Sequence, residues 1–126
     1  MKYLCLAYEE EGTLNNLSRP DWDQLRNETL SYVQRLKSRG SLISAEALQS
    51  VTTATTVRVR SGTVSLTDGP FAETKEQLGG FFLIEARDLN DAIQIASGWP
   101  SARLGCIEVR PVEMKLREQG RYETIG

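Results

Sequence analysis

The run TDGPFAETKEQLGGFF, residues 67–82, sets Asp68, Glu73, Lys75 and Glu76 beside a glycine–proline turn. Carboxylates and an amine this close could exchange protons with a ligand if they faced one pocket. Asp68 is the candidate catalytic acid or base. Glu73 and Lys75 are candidate ligand-binding residues. Tyr8, at the end of the first apolar run, could add a hydroxyl, and Arg58 could neutralise an anionic ligand. Each has a structural alternative. Asp, Gly and Pro in succession build a turn, since Asp bonds nearby backbone, Gly allows positive φ and Pro fixes the exit. Gly69 also relieves the restriction on the residue before Pro70. In that reading Asp68 accepts backbone N–H groups near Gly69 and Phe71, and Phe71 plugs the core. Glu73, Lys75 and Glu76 are then a solvated turn, and Arg58 is the polar side of a half-exposed hairpin. Tyr8, Trp22 and Trp99 are then core packing.

The chain contains no histidine. Ser-His-Asp and Cys-His nucleophilic systems are therefore excluded, as are HExxH and mixed Cys/His zinc sites. Proton transfer falls to Asp, Glu, Lys, Tyr or Cys with shifted pKa values. The two cysteines, Cys5 and Cys106, form no disulfide framework, and both lie in strand-like runs as buried thiols. No GxxxxGK[ST] or GxGxxG phosphate loop occurs. The expectation is no metal and no cofactor.

The 126 residues suit one domain, with 40% hydrophobic and 25% charged residues. The net charge of −2 and scattered Lys and Arg give no reason to expect nucleic acid as a partner. No apolar run approaches the ~20 residues of a membrane span, and the N-terminus lacks a signal-peptide pattern, so the expectation is a cytoplasmic protein with no membrane contact.

The candidate residues need elements to hold them. Residues 2–8 read as a strand and residues 9–17 as a loop. Residues 20–39 read as a helix, with Trp22, Leu25, Thr29, Val33 and Leu36 as one stripe, Ser18 as N-cap and Gly40 as stop. Residues 42–48 are a strand and residues 49–55 extended. A two-residue turn at Ser61 and Gly62 makes a hairpin that pairs Val59 with Val64, Val57 with Leu66 and Arg58 with Ser65. Residues 79–86 are a strand, with Gly79 and Gly80 as a bulge or close approach. Asp88 caps a second helix whose face is Leu89, Ala92, Ile93 and Ala96. Residues 106–112 are a last strand, put at an edge by Pro111. Residues 113–126 are expected to be a loosely held tail.

This order is the split βαβ of an α+β, ferredoxin-like fold with an inserted hairpin. Two helices cover one sheet face only, yet the first and later strands are apolar on both sides. Leu4, Leu6 and Tyr8 oppose Tyr3, Cys5 and Ala7; Phe81 and Leu83 oppose Phe82, Ile84 and Ala86. Leaving such side chains wet forgoes roughly 1.5–3 kcal/mol each. A second copy is the simplest cover, which predicts a homodimer.

The residues also carry a resemblance. The run from Asp68 to Glu76, DGPFAETKE, followed by Gly79, Gly80, Phe81 and Phe82, resembles the DGPF-type branch of the YCII-related family, and the similarity extends over residues 1–112. The resemblance implies a ferredoxin-like fold that dimerises through its sheets into a dimeric α+β barrel. It implies a small-molecule ligand, bound or transformed in the barrel interior, with Asp68 at the motif's Asp. The histidine that often partners this Asp in the wider family has no counterpart here. The branch's association with extracytoplasmic-function sigma factors implies the alternative, a non-catalytic regulatory module.

Overall fold

The computed structural model describes residues 1–113. Apart from Glu113, the expected tail lies outside the described residues. The chain runs β1 (Lys2–Glu9), α1 (Glu11–Asn15), α2 (Arg19–Ser38), β2 (Leu42–Ala47), a 3₁₀ turn (Val51–Thr53), β3 (Thr55–Arg60), β4 (Thr63–Asp68), β5 (Gln77–Glu85), α3 (Leu89–Ser97), a second 3₁₀ turn (Pro100–Arg103) and β6 (Gly105–Pro111). Four strands form an open antiparallel sheet in the order β2-β5-β1-β6, while β3 and β4 pair only with each other. α2 and α3 each carry the chain over one intervening strand, which is the expected α+β, split βαβ order. Among the described residues no helix is long and apolar enough to cross a membrane.

Both helices start where short-range chemistry dictates. The Ser18 hydroxyl accepts the Asp21 N–H at 3.2 Å, and the Asp88 carboxylate accepts the Asp91 N–H at 2.9 Å. Each bond satisfies a donor that the first turn leaves open. The core lies between the helices and one sheet face. Tyr3, Cys5, Phe82 and Ile84 meet Leu36 of α2 and Ala92 and Ile95 of α3. The Tyr32 hydroxyl donates to the Ile95 carbonyl at 2.7 Å, tying α2 to α3. Trp99 stacks on Phe82 with centroids 3.9 Å apart. On β1 burial alternates, with Tyr3, Cys5, Ala7 and Glu9 inward and Leu4, Leu6 and Tyr8 half-buried on the outer face. Phe81 and Leu83 of β5 share that outer face.

Several expectations need correction. α1 stands where a loop was expected, because the Glu10 carbonyl accepts N–H groups from Thr13 and Leu14 and starts a turn. Residues 51–53 curl into a 3₁₀ turn where extended chain was expected, capped by the Ser50 hydroxyl. In α3, Ile95 and not Ile93 closes the core; Ile93 is exposed. Cys106 is exposed, since edge strand β6 pairs it with outward-facing Tyr8. The hairpin has the expected register, and Ser61 and Gly62 both take positive φ, as a type I′ turn requires. It stands apart from the sheet, however, and Val57, Val59, Val64 and Leu66 are 56–67% exposed. Phe71 is 80% exposed and plugs nothing in this chain.

Candidate functional site

Glu9 ends β1 on the inner face, where alternation would place an apolar residue. It is only 9% exposed, and its Oε2 has no hydrogen-bond partner among the described residues. Burial of a carboxylate without compensation is expensive, and the usual outcome is a raised pKa. Burial pushes the Glu9 carboxyl from about 4.5 up to about 7, with Glu76 and Glu11 adding negative charge in the same direction. Such a group is half-protonated near neutrality, as a proton-transfer residue requires.

The space around Glu9 comes from local sequence. Ala7 pairs with Gly80 and Tyr8 with Leu78, so Gly79 is an extra residue in β5 and makes a bulge. A Cβ on Gly79 would stand 3.0 Å from the Glu9 Cδ and closer still to its Oε1. Only glycine leaves the carboxylate its present place. The Gly79 carbonyl accepts the Leu48 N–H at 2.8 Å, which brings the end of β2 beside the bulge. Glu11 fixes the opposite side: its carboxylate accepts the Ser50 hydroxyl and the Val51 N–H, both at 2.9 Å, and its own N–H donates to Gln77 Oε1.

Two cavities meet at Glu9. One, of about 470 Å³, runs under α2 between Leu25, Val33, Phe82 and Trp99. The other, of about 550 Å³, opens towards Glu11, Asn15 and Leu48. Leu14, Trp22, Ala47 and Gly79 line both, with Trp22 half exposed between them. Apolar walls with one buried ionisable group are the usual make-up of a small-molecule site.

The family model of the YCII-related domain matches residues 1–115. The chain belongs to that family. This YCII-related chain is 33% identical over 116 residues to an uncharacterized protein of Rhizobium meliloti (strain 1021), covering 90% of this chain and 94% of the relative. Its fold is similar to that of a 5-chloro-2-hydroxyhydroquinone dehydrochlorinase from Burkholderia phenoliruptrix AC1100, solved with 2,5-dihydroxybenzoquinone. That match has a TM-score of 0.55 at 15% identity and covers 90% of this chain and 94% of the other. At that identity the likeness is one of fold.

Within the YCII-related chain, the residues singled out from sequence are spread apart. Asp68 pairs with Thr55 on the hairpin side that carries Val57 and Leu66, while Arg58 pairs with Ser65 on the opposite side. Gly69 adopts φ +99° and its N–H donates to the Ala54 carbonyl at 2.7 Å, so the turn exists. Among the described residues the Asp68 carboxylate accepts none of the expected backbone N–H bonds. The Thr56 hydroxyl, donating to the Gly69 carbonyl at 2.8 Å, holds the turn in its stead. Glu73 and Lys75 are exposed in the connection before β5, and Tyr8 lies on the outer sheet face. None of these five lines either cavity at Glu9. Glu9 itself was missed because it opens a run of three glutamates, which reads as a solvated loop. The available signal was the phase: Glu9 continues the inward series of Tyr3, Cys5 and Ala7.

Proposed function

We propose that this YCII-related chain binds a small molecule in the cleft between α1, α2 and the end of the sheet, and that Glu9 exchanges a proton with it. One observation carries the reading: a carboxylate buried without a partner, poised near neutrality, at the junction of two cavities. Natural proteins retain such an uncompensated group where a ligand or a reaction uses it. The fold neighbour supports the same direction, being an enzyme held in complex with a small quinone. When ionised, Glu9 takes a proton from the bound molecule; when protonated, it returns one. The Trp22 ring and the wall under α2 hold the apolar part of the ligand and exclude water. The chemistry asked of the chain needs neither metal nor cofactor.

The same proposal includes assembly as a homodimer through the outer sheet faces, supported by the half-buried Leu4, Leu6, Phe81 and Leu83. The two open sheets then face one another as a barrel, with Tyr8 in the seam and the Glu9 clefts outside it. A thermal-shift screen of metabolites against the wild type and Glu9→Gln tests the binding reading. Compounds that stabilise the wild type and act at least about tenfold more weakly on the variant support it. A broad screen with no binder, or binders indifferent to Glu9→Gln, rejects it.

A further inference from the structure

The charge around the cleft is one-sided. The charges acting on Glu9 are those of Glu76 and Glu11, both negative. Glu11 lies across the cleft mouth on α1, and Glu76 sits just before β5, where its Oε1 accepts the Cys106 thiol at 3.6 Å. Cys106 on β6 carries no charge at neutral pH, its thiol being pushed up by the slight desolvation it has on the surface and by Glu76. Glu46 of β2 borders the cavity under α2, but it pairs with Phe81 and is exposed, so its side chain turns to the outer face. Two cations stand on the α2 side. Arg19 is held by Asp23 at 3.1 Å, and Arg26 lines the cavity under the helix without relieving Glu9. The site therefore has a negative potential at its centre and an apolar body beside it. An anionic ligand would meet that potential unfavourably, whereas a cation would restore the ionised form of Glu9.

A metal ion does not fit this arrangement. Among the described residues no group of three or more His, Cys, Asp or Glu side chains is placed to hold one. The walls offer Leu14, Leu25, Val33, Phe82 and Trp22 where a hydrated ion needs oxygen ligands. An organic ammonium fits both halves. Its N–H donors satisfy the unpartnered Oε2, its hydrocarbon lies under α2, and the half-exposed Trp22 ring can face the cation.

We propose that the cleft selects an ammonium ligand with an apolar body, such as a primary alkylamine, whose N–H groups sit on the Glu9 carboxylate. This rests on the cleft being the ligand site; toward the ammonium itself Glu9 acts as an ionised partner and takes no proton from it. The fold neighbour's quinone does not transfer with the fold.

The test is an NMR titration of the ¹⁵N-labelled full chain at pH 8 with hexylammonium chloride, against hexanol, sodium hexanoate and magnesium chloride. The Gly79 amide and Trp22 indole N–H are the reporters. Hexylammonium is expected to shift both saturably, and more tightly than any comparator. Its affinity should fall about tenfold at pH 6, where Glu9 is mostly protonated given its pKa of about 7. The amine stays protonated at both values, as a lysine does with its pKa of about 10.4. Glu9→Gln should weaken binding at least about tenfold and flatten the pH response. Should that variant not fold, Gly79→Ala, whose methyl displaces the carboxylate, should weaken binding in the same way. Hexanol or hexanoate binding as tightly, magnesium shifting the reporters in place of the amine, or amine binding that survives both variants overturns the proposal. So does silence from all four probes. In each of these cases the metabolite screen with Glu9→Gln still decides separately whether the cleft takes a neutral molecule.

Discussion

At residue scale, Glu9 makes a pH signature that the wild type must show. Its folded pKa of about 7 lies above the ordinary value of about 4.5. The folded state therefore holds more protons than the unfolded state between those values, and stability falls as pH rises through that window. The contribution is fully present below about pH 4.5 and is lost above about pH 7. The full shift corresponds to ~3 kcal/mol at ~1.4 kcal/mol per pKa unit. Urea unfolding of Glu9→Gln should show no such decline, and at pH 8 the variant should be more stable than the wild type by ~1–3 kcal/mol. Equal stability at pH 8 would mean that the ionised carboxylate finds compensation. The two thiols make a second contrast. Cys5 is buried and pushed up to about 12 by burial, whereas Cys106 is exposed. A disulfide reagent at pH 8 should modify one thiol per native chain and the second only on unfolding. Cys106→Ser should remove the native-state phase, and two native-state thiols would contradict the packing of Cys5.

At the scale of elements, the caps are separable from the core. Ser18→Ala and Asp88→Ala each remove one bond to a helix N-terminal N–H. Each should cost ~0.5–2 kcal/mol in denaturant unfolding. Truncating stacked, fully buried Phe82 to Ala should cost ~3–5 kcal/mol. A cap variant as damaging as Phe82→Ala would show that the cap also holds tertiary structure. These elements were legible in the sequence because their causes are local. Ser18 and Asp88 stand directly before periodic runs, Ser61 and Gly62 dictate a turn type, and that turn fixes the pairing of Val57 with Leu66 and Val59 with Val64. The misses come from causes that are not local. α1 is a five-residue helix whose Glu11 is engaged by Ser50 and Val51, some forty positions away. Ile95 and not Ile93 joins Ala92 and Ala96 in the core, and a helix of nine residues offers too few turns for periodicity alone to fix which side of the stripe is buried. The cleft was illegible for the same reason. Its base is Glu9, its space comes from the Gly79 bulge and its wall is α2. Two signals were present: the phase of Glu9 in the inward series of β1, masked by the glutamates that follow it, and the glycine pair at the bulge, which named a close approach without naming what approached.

For the whole molecule, the decisive feature is a sheet finished on one face only. α2 and α3 seal the side of Tyr3, Cys5, Phe82 and Ile84. Leu4, Leu6, Phe81 and Leu83 remain half-buried on the other side, and the apolar side of the hairpin is more exposed still. Completing the burial of half-covered Leu or Phe side chains is worth ~1 kcal/mol each, and a twofold axis counts every one of them twice. Light scattering should therefore give twice 14.1 kDa for the wild type at micromolar concentration. Leu83→Glu tests the surface directly. Leu83 faces outward opposite Leu4 and lines neither Glu9 cavity, so the substitution sets a charge in the proposed seam and leaves the cleft alone. The pair should weaken at least about tenfold, because an unpaired carboxylate in an apolar interface loses its hydration without a partner. The Glu9 signature between pH 4.5 and 7 should persist in the resulting monomer, since the burial of Glu9 and the charges of Glu76 and Glu11 already raise that pKa within a single chain. A wild-type mass of 14.1 kDa would remove the dimer. A monomeric Leu83→Glu that also loses the Glu9 signature would show that the cleft is completed by the second copy.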